Sequence, residues 1–182
     1  TSIDLPDDVK SFGARGDHGV LLTETKVIPI EFGIDNKTRL LEGIPRPEVP
    51  LESCEPSLTG IEAVCQGRGE YHIISLRAER SSEPERIDAP AGTTVLSWTD
   101  GNTLVAGTNT GVFLRDRRDN YGEWTYLEGG RQEEVHSLTV TPAGMDVVYA
   151  SAFVSYRLED LTPVVEVDHD GTFFVDAATP SV

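Results

Sequence analysis

The chain has 182 residues, and its 31 acidic against 15 basic side chains give a formal net charge of −16 at pH 7. Nucleic acids and anionic membranes bind basic surfaces, so we do not expect either as a direct partner of this acidic chain. No apolar stretch approaches the roughly 18 residues that a membrane-spanning helix needs. Hydrophobic residues make up 38% of the chain, which argues for a packed core rather than a disordered acidic tail.

The basic residues are mostly arginines. Lys10, Lys26 and Lys37 are the lysines, and every other basic residue is an arginine. At ordinary salt such an acidic surface repels itself, whereas at molar salt the Debye length of about 3 Å screens the repulsion. We expect a protein of an extreme halophile, with an acidic mesophilic protein as the alternative.

Strand patterns recur along the chain, and helix patterns are sparse. Residues 19–32 indicate a long strand or hairpin, in which Pro29 marks an edge or a bulge. A Pro-rich loop near residues 45–56 is the candidate linker. Further strands are predicted at residues 61–65, 71–78, 93–99, 103–107, 111–115, 124–127, 135–140, 145–158, 163–167 and 172–175.

This succession of short strands predicts the fold class. About nine to eleven strands, separated by Gly, Pro, Asp and Asn, are typical of an all-β sandwich, barrel or propeller. We expect residues 1–182 to form a single all-β domain.

Part of the chain resembles the repeats of Asp-box (BNR) β-propellers. The resemblance covers about residues 93–158 and is carried by the runs Leu104–Thr108, Gly111–Phe113, Gly122–Leu127 and Val135–Pro142. The family's box is Ser-x-Asp-x-Gly-x-Thr-Trp, whereas residues 118–124 lack the initial Ser and are one residue short before Trp124. This resemblance implies a β-propeller binding module of a halophilic archaeon.

The whole chain, by its size, acidity and strand content, resembles the small major capsid protein of haloarchaeal internal-membrane icosahedral viruses, the sphaerolipovirus type. That resemblance implies a single jelly-roll or β-sandwich barrel of about eight or more antiparallel strands. Our first hypothesis is therefore a structural virion protein without enzymatic activity or cofactor. As a capsid subunit it would associate with itself or with a second capsid protein in high salt, with a viral membrane as an indirect neighbour.

Arg115, Arg117 and Arg118 form a basic cluster in the acidic chain. One interpretation is a contact between subunits, because arginine favours ion pairs at interfaces. The alternative is a solvated loop in which Asp116 and Asp119 pair with the arginines locally.

Two cysteines and one sequon complete the candidate sites. Cys54 and Cys65 are either bonded to each other, bonded to another chain, or free. Asn36 begins the sequon Asn36-Lys37-Thr38, a potential glycosylation site in a loop.

Signatures of catalysis or metal binding do not emerge. His136 and Ser137 are adjacent, so in a strand their side chains would point to opposite faces. The four histidines lack metal-ligand spacing, and we expect neither a metal site nor a catalytic centre. Arg15-Gly16-Asp17 matches a cell-adhesion tripeptide but is more simply a turn before the strand that follows.

Overall fold

The computed structural model describes residues 5–33, 37–77, 83–99, 102–118 and 122–169. Within these ranges the regular elements are strands, and the all-β prediction is confirmed. The same ranges contain no helix long and apolar enough to cross a membrane.

The strands form four antiparallel sheets, which we call blades 1 to 4. Blade 1 contains β1 (Val9–Arg15), β2 (His18–Thr23), β3 (Lys26–Phe32), β4 (Thr38–Leu40) and β5 (Ile44–Pro45). Blade 2 contains β6 (Ser53–Pro56), β7 (Glu62–Gly67), β8 (Glu70–Ser75) and β9 (Glu85–Ile87). Blade 3 contains β10 (Thr93–Trp98), β11 (Thr103–Thr108), β12 (Gly111–Asp116) and β13 (Thr125–Tyr126). Blade 4 contains β14 (Val135–Thr141), β15 (Gly144–Tyr149), β16 (Ala152–Tyr156) and β17 (Pro163–Asp168).

The blades are arranged as a four-bladed β-propeller, so the prediction of a single jelly-roll barrel is wrong. A jelly roll pairs strands that are distant in sequence through Greek-key connections. Here the pairings follow chain order within each blade, apart from β5, which pairs with β3. The physical reason is the short turns, which fold successive strands back onto each other. Blades 2, 3 and 4 begin at Ser53, Thr93 and Val135, a period of about forty residues.

Pro29 lies at a break in the outer part of blade 1. β4 pairs with β3 at Ile30–Phe32, and β5 pairs with β3 at Lys26 and Val27. Pro29 lies between these two stretches and has no backbone N–H to donate. Its carbonyl still accepts a hydrogen bond from the Leu41 nitrogen at 2.9 Å. The outer strand is therefore divided opposite the proline.

Three hydrophobic clusters lie between successive blades. One joins blades 1 and 2, another joins blades 2 and 3, and the largest joins blades 3 and 4. In β11, Leu104 and Ala106 belong to the cluster with blade 2, whereas Val105 belongs to the cluster with blade 4. Because side chains alternate along a strand, an inner blade needs apolar residues on both faces. Among the described residues, no such cluster joins blade 4 to blade 1.

Candidate functional site

The ends of the first strands of all four blades converge at the axis of the propeller. Arg15 is the last residue of β1, and Glu55, Ser97 and Val140 each lie one residue before the end of β6, β10 and β14. Each blade thus contributes one residue to the same cluster, which we call the axial cluster.

Arg15 makes the central contacts of the axial cluster. Its Nη2 donates a hydrogen bond to the carbonyl oxygen of Val140 at 3.1 Å, and its Nη1 lies 3.4 Å from Oε1 of Glu55. Ser97 donates its Oγ hydrogen bond to the same Glu55 oxygen at 3.0 Å. Arg15 therefore connects blade 1 to blades 2 and 4, and Glu55 extends the contact to blade 3.

A glycine allows this convergence. A Cβ at Gly13 would lie 2.1 Å from the carbonyl oxygen of Cys54, so any other residue would push β1 away from β6. Gly13 and Arg15 are two residues apart on β1 and therefore lie on the same face of the sheet. The close approach of Gly13 to β6 thus brings Arg15 beside Glu55.

The two charges at the axis differ in their exposure to solvent. The Arg15 side chain is only 1% exposed, whereas that of Glu55 is 35% exposed. Burial lowers the pKa of Arg15 and outweighs the opposing effect of Glu55, although an arginine remains protonated. Burial likewise raises the pKa of Glu55, against the lowering effects of Arg15 and of the Ser97 hydrogen bond. Nε and Nη1 of Arg15 find no hydrogen-bond acceptor among the protein atoms described.

Two clefts flank the connection from blade 1 to blade 2. This connection falls within the predicted Pro-rich loop. The first, of about 540 Å³, has mainly apolar walls from Ile44, Pro45, Pro47, Val49, Ile74 and Pro84. The second, of about 580 Å³, is more polar and is lined by residues that include Glu24, Thr25, Glu48 and Arg68. The segment Arg46–Val49 lines both clefts, and we call it the cleft loop.

The cleft loop is held in place by its own arginine. Arg46 donates from Nη1 to the carbonyl oxygen of Thr23 at 2.8 Å and from Nη2 to the carbonyl oxygen of Leu51. Its backbone nitrogen donates to the carbonyl oxygen of Thr25 at 2.8 Å. Prolines on either side further restrict the backbone, so the clefts are formed before any ligand arrives.

The predicted arginine cluster is divided between two roles. Arg117 pairs with Glu62 at 2.5 Å and with Glu85 at 2.6 Å, which links blade 3 to blade 2 within the chain. Arg118 pairs locally with Asp116 at 2.6 Å, as the solvated-loop alternative predicts. The contact between subunits stays a prediction for Arg115 and Arg118, while Arg117 is already engaged inside the chain.

Cys54 and Cys65 face each other across β6 and β7 and are joined by a disulfide within the chain. Both are buried and belong to the cluster between blades 1 and 2. The glycosylation prediction at Asn36 lies outside the described residues. Among the residues that the structure describes, no group of three or more His, Cys, Asp or Glu could hold a metal ion.

Sequence reasoning did not single out Arg15, the residue that joins three blades at the axis. Arg15 drew notice only as part of an adhesion tripeptide, and its burial makes that role incompatible with the structure. Its two partners, Glu55 and Val140, lie 40 and 125 residues away in the chain. No local pattern signals such a contact.

No family model matches the sequence, and no curated protein matches it either. Solved structures do. Hsv2 from Kluyveromyces lactis matches with a TM-score of 0.52 and 14% identity, over 87% of this chain and 51% of that chain. The KlHsv2 form with loop 6CD replaced by a Gly-Ser linker gives a TM-score of 0.60 at 8% identity, over 87% and 51%.

AztD from Citrobacter koseri, in its apo form, matches with a TM-score of 0.59 and 13% identity, over 90% of this chain and 48% of that chain. The chain therefore spans about half the length of these solved structures. At such low identity the likeness concerns the fold alone, and the chain has the fold of the β-propellers.

Proposed function

We propose that this chain is a binding module, a β-propeller that recognises an extended segment of another protein and performs no chemistry. The observation that carries the proposal is the pair of clefts on either side of the cleft loop, Arg46–Val49. Their volumes of about 540 and 580 Å³ fall in the range of ligand-binding clefts.

The lining of the clefts suggests the chemistry of the ligand. The first cleft offers proline and aliphatic walls, which suit an apolar side chain. The second offers Glu24, Glu48 and Arg68, which suit charged or hydrogen-bonding groups. An extended peptide could place an apolar residue in one cleft and a polar residue in the other. The net charge of −16 favours basic residues in such a peptide.

The rigidity of the cleft loop supports a role in ligand binding. A loop that is already ordered loses little conformational entropy when a ligand binds. Arg46 holds this loop through the backbone carbonyls of Thr23, at the end of β2, and of Leu51, just after the loop.

The virion capsid subunit stays a prediction, as do the halophilic host and the partner subunits. The capsid hypothesis relied on a jelly roll, and the observed fold is a propeller. The binding module, which the Asp-box resemblance implied, is therefore the better supported of the two functions.

A peptide array tests the proposal. We would probe immobilised 12-residue peptides in 0.2 M KCl, where the net charge is only partly screened. The peptides form apolar-basic, apolar-acidic and scrambled sets, and fluorescence anisotropy measures the affinities of selected peptides. The apolar-basic set is expected to bind best. For the apolar-basic set, Arg68→Asn should raise the affinity at least fivefold, since it removes a like charge from the second cleft. Asparagine tolerates the positive φ of 51° at this position.

Arg39→Asn is the matched control, because Arg39 is exposed on β4 and lies outside both cleft linings. Equal affinities for Arg68→Asn and the unaltered chain would place binding elsewhere. Absence of binding by every peptide set would overturn the proposed ligand class.

A further inference from the structure

The outermost strand of blade 4 differs from those of the other blades in its length. In the first three blades the strands at the outer edge, β4, β5, β9 and β13, have two or three residues each, whereas β17 has six. Short outer strands leave few unpaired backbone groups, and natural proteins use them to protect the edges of sheets from other chains. The edge of β17 lacks this protection, and none of the described strands pairs with it on the side away from β16.

The side chains of β17 form an exposed apolar surface. Val164, Val165 and Val167 are three of the six exposed large apolar residues in the described part of the chain. Val165 and Val167 lie on one face of the sheet, since they are two residues apart. Phe153 on β16 is the direct cross-strand neighbour of Val167, so the apolar surface continues onto the next strand. Single exposed valines are ordinary, but a contiguous apolar surface marks an interaction site.

The register of β16 and β17 determines which backbone groups of β17 are directed outward. The nitrogen of His169 donates to the carbonyl oxygen of Ser151 at 2.8 Å, which makes these residues a hydrogen-bonded pair of the ladder. Such pairs recur at every second residue of an antiparallel strand, so the backbone groups of Val165 and Val167 also point to β16. The N–H and C=O groups of the alternate residues, Glu166 and Asp168, therefore point to the open edge.

The charges beside this edge are unbalanced. Arg131 pairs through Nε with Glu133 and through Nη1 with both Glu166 and Asp168. Three carboxylates against one guanidinium leave an excess of two negative charges in this group. A strand on the open edge would place alternate side chains opposite Glu166 and Asp168, where basic side chains would be stabilised. A second copy of β17 would instead add carboxylates to the same edge and is therefore disfavoured.

We propose that the open edge of β17 binds an extended segment of a partner protein as an additional β-strand, in which apolar residues alternate with lysine or arginine. The backbone of Glu166 and Asp168 supplies the hydrogen bonds, and the apolar residues of the segment cover Val165 and Val167. The edge belongs to blade 4, whereas both clefts are lined by residues of blades 1 and 2 and of their connections. This inference goes beyond the proposed function, and each is tested without the other.

Fluorescence anisotropy of a labelled peptide in 0.2 M KCl tests the inference. The peptide contains the core Lys-Val-Lys-Val-Val, which in the antiparallel direction opposes β17 from Asp168 back to Val164, and we expect saturable binding at micromolar concentrations. Val167→Asp should weaken binding at least tenfold, with unchanged circular dichroism because the side chain is exposed. Leu41→Asp is the matched control, since Leu41 is also apolar and exposed but follows β4 in blade 1. Equal losses in the two variants would overturn the proposal.

Two changed peptides separate the addition of a strand from other kinds of contact. Methyl groups on the amide nitrogens of both core lysines remove the donors to the carbonyl oxygens of Glu166 and Asp168 and keep every side chain. Replacement of both lysines by glutamate keeps the donors and reverses the charge. Each change should lower the affinity at least tenfold. Unchanged binding of the methylated peptide would overturn the strand pairing, and unchanged binding of the glutamate peptide would overturn the basic chemistry of the partner.

The same measurements identify other occupants of the edge. Residues 172–175, which the sequence predicts to be a strand, follow β17 and lie outside the described residues. Peptide binding by the Phe173→Asp/Phe174→Asp variant but not by the unaltered chain would assign the edge to that segment and overturn the proposal. A dimer of the unaltered chain that Val167→Asp dissociates, as sedimentation equilibrium would record, would assign the edge to a second copy and also overturn it. Absence of peptide binding by both chains would overturn it as well.

Discussion

Arg15 donates a hydrogen bond to the carbonyl oxygen of Val140, a residue 125 positions later in the chain, at 3.1 Å. This contact ties the first blade to the last at the axis, where no buried apolar cluster joins them in the described residues. Between these two blades the hydrogen bond at the axis therefore contributes stability that a buried apolar cluster supplies between the other blades.

Replacement of Arg15 by methionine should destabilise the fold. Arg15→Met removes the hydrogen bond to Val140 and leaves Glu55 without its cation in a partly buried position. The expected loss is about 2 kcal/mol in the free energy of unfolding. Guanidinium unfolding in molar salt measures it.

Lys10→Met is the matched control, because the Lys10–Glu24 pair is exposed on both sides. That change should stay within about 0.5 kcal/mol. The double variant Arg15→Met/Glu55→Gln should lose less than Arg15→Met alone, since no uncompensated charge remains. Equal stability of Arg15→Met and the unaltered chain would contradict a structural role of the axial cluster.

Glu133 should make stability depend on pH. Its carboxylate accepts hydrogen bonds from the backbone nitrogen and Oγ of Ser151 at 3.0 and 2.6 Å, and from Nε of Arg131 at 3.0 Å. The Ser151 side-chain bond is the largest cause that lowers the pKa of Glu133. The stabilisation is therefore present above the unfolded-state pKa of about 4.5 and is lost as the pH falls through the folded-state pKa.

We expect Glu133→Gln to lose about 1 kcal/mol at pH 7, and the difference from the unaltered chain to shrink as the pH falls below 4.5. Unfolding curves at several pH values in 3 M KCl measure this difference. Glu134→Gln, at the exposed neighbouring carboxylate, is the control. A difference that stays constant across this pH range would contradict the assignment to Glu133.

Arg117 should stabilise the contact between blades 2 and 3. It pairs with Glu62 and Glu85 and lies over the ring of Trp98, with the guanidinium carbon 5.6 Å from the ring centroid. Arg117→Ala should lower the free energy of unfolding by about 1–2 kcal/mol, because a partly buried network and a cation–π contact are lost together.

Arg118→Ala should change stability by less than about 0.5 kcal/mol, since its pair with Asp116 is exposed. Arg117→Lys should recover only part of the loss, because lysine cannot form both ion pairs in the planar geometry of a guanidinium. Equal effects of Arg117→Ala and Arg118→Ala on the free energy of unfolding would show that the ion pairs of Arg117 between blades 2 and 3 do not stabilise the fold.

Salt should stabilise the fold through charge screening. With 31 acidic and 15 basic side chains, we expect the thermal midpoint to rise by about 10 °C between 0.2 and 3 M KCl, as circular dichroism would record. A variant in which the exposed residues Asp7, Glu31, Glu42, Glu52 and Glu159 become amides should show a smaller rise. Equal rises in both proteins would mean that screening is not the cause.

Local patterns predicted several hairpins well. Residues 19–32 were expected to form a strand or hairpin and contain β2 and β3, and the turn between the strands at 61–65 and 71–78 is present at Arg68 and Gly69. Both turn residues have positive φ, 51° and 79°, as a two-residue hairpin requires.

Other elements depended on distant contacts. Residues 145–158 were expected to form one long strand, but they divide into β15 and β16 at Ala150 and Ser151. Neither residue is a strong turn former. The turn is held from the connection between blades 3 and 4, because Ala150 donates to the carbonyl oxygen of Glu134 and Ser151 donates to the carboxylate of Glu133. The short strand β6 was not predicted, because it lies in a Pro-rich stretch that resembles a loop. Its pairing with β7 places Cys54 opposite Cys65, and the disulfide joins the two strands there.

The sequence by itself determined that the chain is all-β, acidic and built from short hairpins, because side-chain alternation, turn residues and net charge are local or additive properties. Only the tertiary structure decided between a barrel and a propeller, since that choice depends on how complete sheets pack on each other. The axial cluster at Arg15 and the clefts beside Arg46 emerge from the same packing. Their residues are distant in the chain and meet only when the blades assemble around an axis.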